Sequence, residues 1–123
     1  MYAALNGHEQ VARVLLEAGA VVGAQGNDGG TALMYAALNG HEQVARVLLE
    51  AGVVVGAQDN DGWTALMYAA HNGHEQVARV LLEAGADVGA QDNDGLTSLM
   101  AAAQNGHEQV ARVLLEAGAV VGA

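Results

Sequence analysis

Fourteen residues, NGHEQVARVLLEAG, occur four times without a change, starting at Asn6, Asn39, Asn72 and Asn105. The interval is 33 residues, and positions outside the block keep the same register, as with Met1, Met34, Met67 and Met100. A fixed period of this length constrains the fold more than any composition does. Each unit is one supersecondary element too small to bury its own apolar face, and stacking neighbours makes the core continuous. At 123 residues the chain is one domain's worth of such units.

Each unit reads as two short helices and a polar link. The segment TALMYAALNG from Thr31 opens on a Thr suited to cap a helix and ends at an Asn-Gly breaker. HEQVARVLLEAG from His41 carries Glu42 in its first turn and stops at Gly52. Val44, Val47, Leu48 and Ala51 follow the i, i+3, i+4, i+7 rule and mark one apolar stripe. Glu42, Arg46 and Glu50 line the other face as i, i+4 pairs, each worth about 0.2–0.5 kcal/mol. VGAQDNDG, from Val55 to Gly62, supplies turn chemistry between units. Isolated helices of about ten residues are marginal in water, so the pairs must stack. The expected fold is an all-α repeat solenoid of stacked helix-turn-helix pairs linked by β-hairpin-like loops. The pairs span about 1–19, 31–52, 64–85 and 97–118, and the loops about 20–30, 53–63 and 86–96, in a single domain over 1–123.

The period, together with DGWTALMYAAHNGHEQVARVLLEAGADV from Asp61 to Val88 and its recurrence over essentially the whole length, resembles the ankyrin-repeat family. The resemblance implies a helix-turn-helix pair per repeat and a loop projecting roughly at right angles to it. It also implies a concave side, formed by loop tips and first helices, that grips other proteins. Thr64-Ala-Leu-Met67 stands where the family has Thr-Pro-Leu-His, so Met67 acts as an apolar filler. Asp87 alone keeps the family's common Asp, with Val21, Val54 and Val120 at the equivalent positions.

Composition narrows the functions. Fourteen acidic residues against four Arg and no Lys give a net charge of −10. Nucleic acid and anionic membrane surfaces would repel such a chain, whereas a basic protein surface would attract it. No apolar run approaches a transmembrane span and no basic-then-apolar leader is present, so a soluble protein is expected, its compartment unspecified. The absence of Cys removes thiol chemistry and thiolate zinc sites. HEQVA (His74 to Ala78) lacks the second His of a zinc-protease helix, and DNDG (Asp59 to Gly62) lacks the remaining acidic residues of a calcium loop. His71 and His74 have no third ligand beside them, Thr31, Thr64 and Thr97 are spent as caps, and the only Ser, Ser98, opens a helix. A non-enzymatic chain with no metal and no cofactor is expected. His8, His41, His74 and His107, inside the invariant block, are read as rings bonded to turn backbone.

What varies between units is more informative. One position reads Gly30, Trp63, Leu96; another Leu5, Leu38, His71, Gln104; others read Tyr2, Tyr35, Tyr68, Ala101 and Gly26, Asp59, Asp92. A packed core cannot exchange Gly for Trp without a void or a clash, so Trp63 and its equivalents are expected to be largely exposed. These positions coincide with the family's concave side. The candidate partner-binding residues are Tyr35, Leu38, Asp61, Trp63, Tyr68, His71, Asp94, Leu96 and Gln104. Trp63 is either a contact or a cover over the neighbouring repeat, and Tyr35 and Tyr68 are either contacts or half-buried helix positions. An alternative reading is a structural or self-assembling scaffold stacking head to tail through exposed apolar ends. Val110, Val113, Leu114 and Ala117 at one end match Val11, Val14, Leu15 and Ala18 at the other.

Overall fold

The computed structural model describes residues 29–119. The first expected helix pair, over 1–19, lies outside these residues, as does most of the loop after it. Six helices follow in three pairs: α1 (Ala32–Asn39) with α2 (Glu42–Glu50), α3 (Ala65–Asn72) with α4 (Glu75–Glu83), and α5 (Ser98–Gln104) with α6 (Glu108–Glu116). The first helices stack as a row, α1 on α3 on α5, and the second helices as a parallel row, α2 on α4 on α6.

Local chemistry sets the helix ends. Thr31, Thr64 and Thr97 are extended N-caps whose Oγ1 atoms accept from the amides of Met34, Met67 and Met100 at 3.2–3.3 Å, satisfying donors that the first turn leaves open. At the other end, Asn39, Asn72 and Asn105 donate from Nδ2 to the carbonyls of Tyr35, Tyr68 and Ala101 at 2.8–3.0 Å. On the second helices Arg46, Arg79 and Arg112 each bond the Glu four residues earlier, at 2.8–3.1 Å.

The core is small and continuous. Leu33, Leu66, Leu81, Leu114 and the Ala pairs of the first helices are buried, and so are Met34 and Met67. A methionine at that position is indeed an apolar filler. Small Ala faces let successive first helices approach closely.

The invariant block owes much of its constancy to contacts between repeats. His107 donates from Nε2 to the His71 carbonyl at 2.9 Å, and His74 does the same to the Leu38 carbonyl at 3.0 Å. Each ring thus reaches back to the turn of the preceding repeat. It lies over that repeat's glycine: a Cβ on Gly73, whose φ is +74°, would stand 2.6 Å from His107 Nδ1. The loops interlock on the same period. Asn93 donates from Nδ2 to the Asn60 carbonyl at 2.9 Å and from its amide to the Asp61 carbonyl at 3.0 Å. Gln58 Nε2 donates to the Gln91 carbonyl at 3.1 Å.

One expectation is corrected. In the last repeat the stripe of Val110, Val113 and Leu114 is not exposed; these residues are 5% accessible or less, and only Ala117 of the set is exposed. The stripe packs against α5 of its own pair and beside α4, so it needs no neighbour on the far side. The matching residues Val11, Val14, Leu15 and Ala18 lie outside the described residues.

Candidate functional site

The loop between the second and third described helix pairs shows how the tips are built. Asp92 turns the chain: its Oδ1 accepts the amides of Asp94 and Leu96, both at 2.8 Å. Asp59 does the same in the preceding loop, accepting from Asp61 at 3.0 Å and Trp63 at 2.9 Å. These are Asx-type turns, in which a side-chain oxygen replaces a backbone acceptor. They leave Asp61 and Asp94 projecting as exposed carboxylates. Among the described residues no Arg or Lys stands on these tips or on the first helices, since Arg46, Arg79 and Arg112 all lie on the second helices.

Trp63, Tyr68 and His71 come together. The Trp63 and Tyr68 ring centroids are 4.9 Å apart with planes tilted by 48°, and His71 meets Trp63 edge-on at 5.4 Å and 76°. Tyr68 is where a residue one turn before His71 must be, so α3 carries both rings on the side that faces the loop. The Tyr68 hydroxyl donates to Asp59 Oδ2, and Trp63 Nε1 donates to Asp92 Oδ2 at 3.0 Å. His71 Nδ1 accepts from Asn105 Nδ2 at 3.1 Å.

The expectation that Trp63 and its equivalents are largely exposed is corrected. Trp63 and Leu96 are half-buried, and Gly30 is buried. The indole does not stand out from the loop; it lies across α3 and reaches the next loop, so one ring side is covered by neighbours. Gly and Trp can exchange here because the ring lies on the surface of the stack instead of filling a hole within it.

The remaining candidates spread along the same row of helices. Leu38 on α1 (36% accessible), His71 on α3 and Gln104 on α5 occupy equivalent positions and are all exposed. Tyr35 is half-buried, and the residue nine before it is Gly26, which has no carboxylate to match the Asp59–Tyr68 pair. Leu96 packs partly on the core. Among the described residues no three His, Asp or Glu side chains converge as a metal-binding group, and no helix is long and apolar enough to cross a membrane.

Asp92 and Asn105 were not among the candidates, yet they hold the aromatic cluster. Asn105 lies in the invariant block, which marks it as scaffold. Asp92 does carry a signal: it varies with Gly26 and Asp59, and nine residues after it Ala101 breaks the Tyr series.

Comparison with known proteins bears on the whole length. No curated protein matches the chain. The family profile described as "Ankyrin repeats (3 copies)" matches residues 1–59 and again residues 51–123. Ankyrin repeats are generally protein–protein interaction modules, and the family is typically non-enzymatic. The 33-residue period, the paired helices capped by Thr, the interlocked loops and this match over the full length agree: the chain belongs to the ankyrin-repeat family.

Proposed function

We propose that this chain binds a partner protein through its loop tips and first helices, centred on Trp63, Tyr68 and His71, and that the partner's contact surface is basic. The observation that carries the reading is a division of labour. The residues that never change, such as Gly73 and His107, are engaged in holding one repeat to the next. Leu38, His71 and Gln104, which do change, are exposed on the first helices, and the constant Asp61 and Asp94 project from the loop tips beside them. Half-buried Tyr35 and Leu96 extend that face at either side of the aromatic cluster.

Charge specifies the partner's sign. The chain carries −10 overall, Arg46, Arg79 and Arg112 sit on the second helices, and Asp61 and Asp94 project from the tips. Such a face steers cationic surfaces toward it and repels polyanions, which argues against nucleic acid and anionic membranes. Trp63 supplies an aromatic anchor of the kind that concentrates binding energy in protein interfaces.

Affinity for a captured partner, measured by titration calorimetry, tests the assignment. Trp63→Ala should weaken binding about 30-fold or more, the equivalent of about 2 kcal/mol, while Arg79→Ala on α4 should leave it within about twofold. Raising the salt should weaken binding through slower association. Unchanged affinity for Trp63→Ala with loss in Arg79→Ala would move the site to the second helices.

A further inference from the structure

We infer that Asp92 is the positioning residue for Trp63, and that Ala101 makes this possible by leaving the Asp92 carboxylate unclaimed. The two turn aspartates are equivalent by register and identical in what their Oδ1 atoms do. They differ in the second oxygen. Asp59 Oδ2 is taken by the Tyr68 hydroxyl, nine residues on. Nine residues beyond Asp92 stands Ala101, which has no hydroxyl. Asp92 Oδ2 instead receives the indole N–H of Trp63 from the preceding loop, at 3.0 Å and 29 residues away in sequence. A Tyr at 101 in the register of Tyr68 would compete for the same oxygen and crowd the same space.

The indole is held on its other sides too. It packs on Tyr68 and meets the edge of His71, which Asn105 of the next repeat fixes through Nδ1. Trp63 thereby spans two repeats. With its N–H bonded to Asp92 and the Tyr68 hydroxyl bonded to Asp59, both rings have used their polar atoms within the chain. They offer a partner ring carbon and π surface rather than donors. A cationic side chain lying on the indole satisfies that chemistry, and an ordered ring costs less side-chain entropy on binding. Residue 101 thus sets what the face presents. That last step rests on the proposed binding role; the positioning of Trp63 does not.

Trp63 is the only tryptophan, so its indole N–H gives a single resonance in a 15N-correlated spectrum of the free chain. Asp92→Asn keeps an acceptor for the turn and removes the carboxylate oxygen from the indole. It should shift that resonance upfield and speed its hydrogen exchange about tenfold. Ala101→Tyr, which leaves Asp92 in place, should do the same. Asp94→Asn removes a like charge from the same loop without touching Trp63 and should change neither. Should Asp92→Asn fail to fold by far-UV circular dichroism, Ala101→Tyr decides the outcome. An unchanged indole signal in a folded Asp92→Asn or Ala101→Tyr chain would overturn the inference, as would an equal shift in Asp94→Asn. No partner enters the experiment, so its failure would leave the binding role standing, and failure of binding would leave this result standing.

Discussion

Replacing Leu81 by alanine is expected to cost about 3 kcal/mol, within the range of about 2–5 kcal/mol for truncating a buried leucine, and to lower the midpoint of urea unfolding accordingly. Leu81 has no accessible surface and belongs to the continuous core cluster. Its helix, α4, packs on α3 of its own pair and on both α2 and α6. The cavity therefore opens at the centre of the stack, where few neighbours can collapse into it because the surrounding Ala side chains are already minimal. Position matters as well as burial. A solenoid couples only nearest neighbours, so a defect in the middle repeat weakens the interfaces on either side of it. Leu115→Ala, at a residue 43% accessible on α6, should change stability by no more than about 0.5 kcal/mol.

Gly73→Ala should destabilise the chain by about 3 kcal/mol and Gly106→Ala by only about 1 kcal/mol, both read by the same unfolding curves. The two glycines have nearly the same backbone, with φ of +74° and +71°, and an alanine at either suffers the left-handed penalty of about 1–2 kcal/mol. The surroundings separate them. At Gly73 the new Cβ would stand 2.6 Å from His107 Nδ1 and 3.0 Å from its Cγ, whereas at Gly106 nothing lies within 4 Å. The ring cannot swing away without breaking its 2.9 Å bond to the His71 carbonyl. The difference between the variants measures the contact between repeats, free of the backbone term. His107→Ala combined with Gly73→Ala should recover most of the steric part while losing the hydrogen bond.

Much of the architecture was legible because a period converts one observation into several. The Val44–Val47–Leu48 stripe and the Asn-Gly stops recur in all four units and the Thr caps in three of them, so local propensity and global fold agree. The register also showed which positions vary. What it could not show is which atom reaches across to the next unit. His107 finds the carbonyl of His71, 36 residues back, and Trp63 finds Asp92, 29 residues on; neither spacing is a helix or strand period. The exposure of Trp63 was overestimated for the same reason. Tolerance of Gly30 at that position shows that no core cavity is filled there, but a ring can still lie down on its neighbours. The terminal stripe of Val110, Val113 and Leu114 was misjudged because its burial is completed within the pair, by α5.

The claim at the centre is that invariant residues hold the repeats together while the varying face meets a partner. Amide hydrogen exchange of the chain, free and saturated with a captured partner, tests it most directly. New protection should appear over the loop tips at 59–63 and 92–96 and over the first-helix ends at 68–72 and 101–105, with α2, α4 and α6 unchanged. Protection gained only on the second helices, with the tips exchanging as in the free chain, would contradict it.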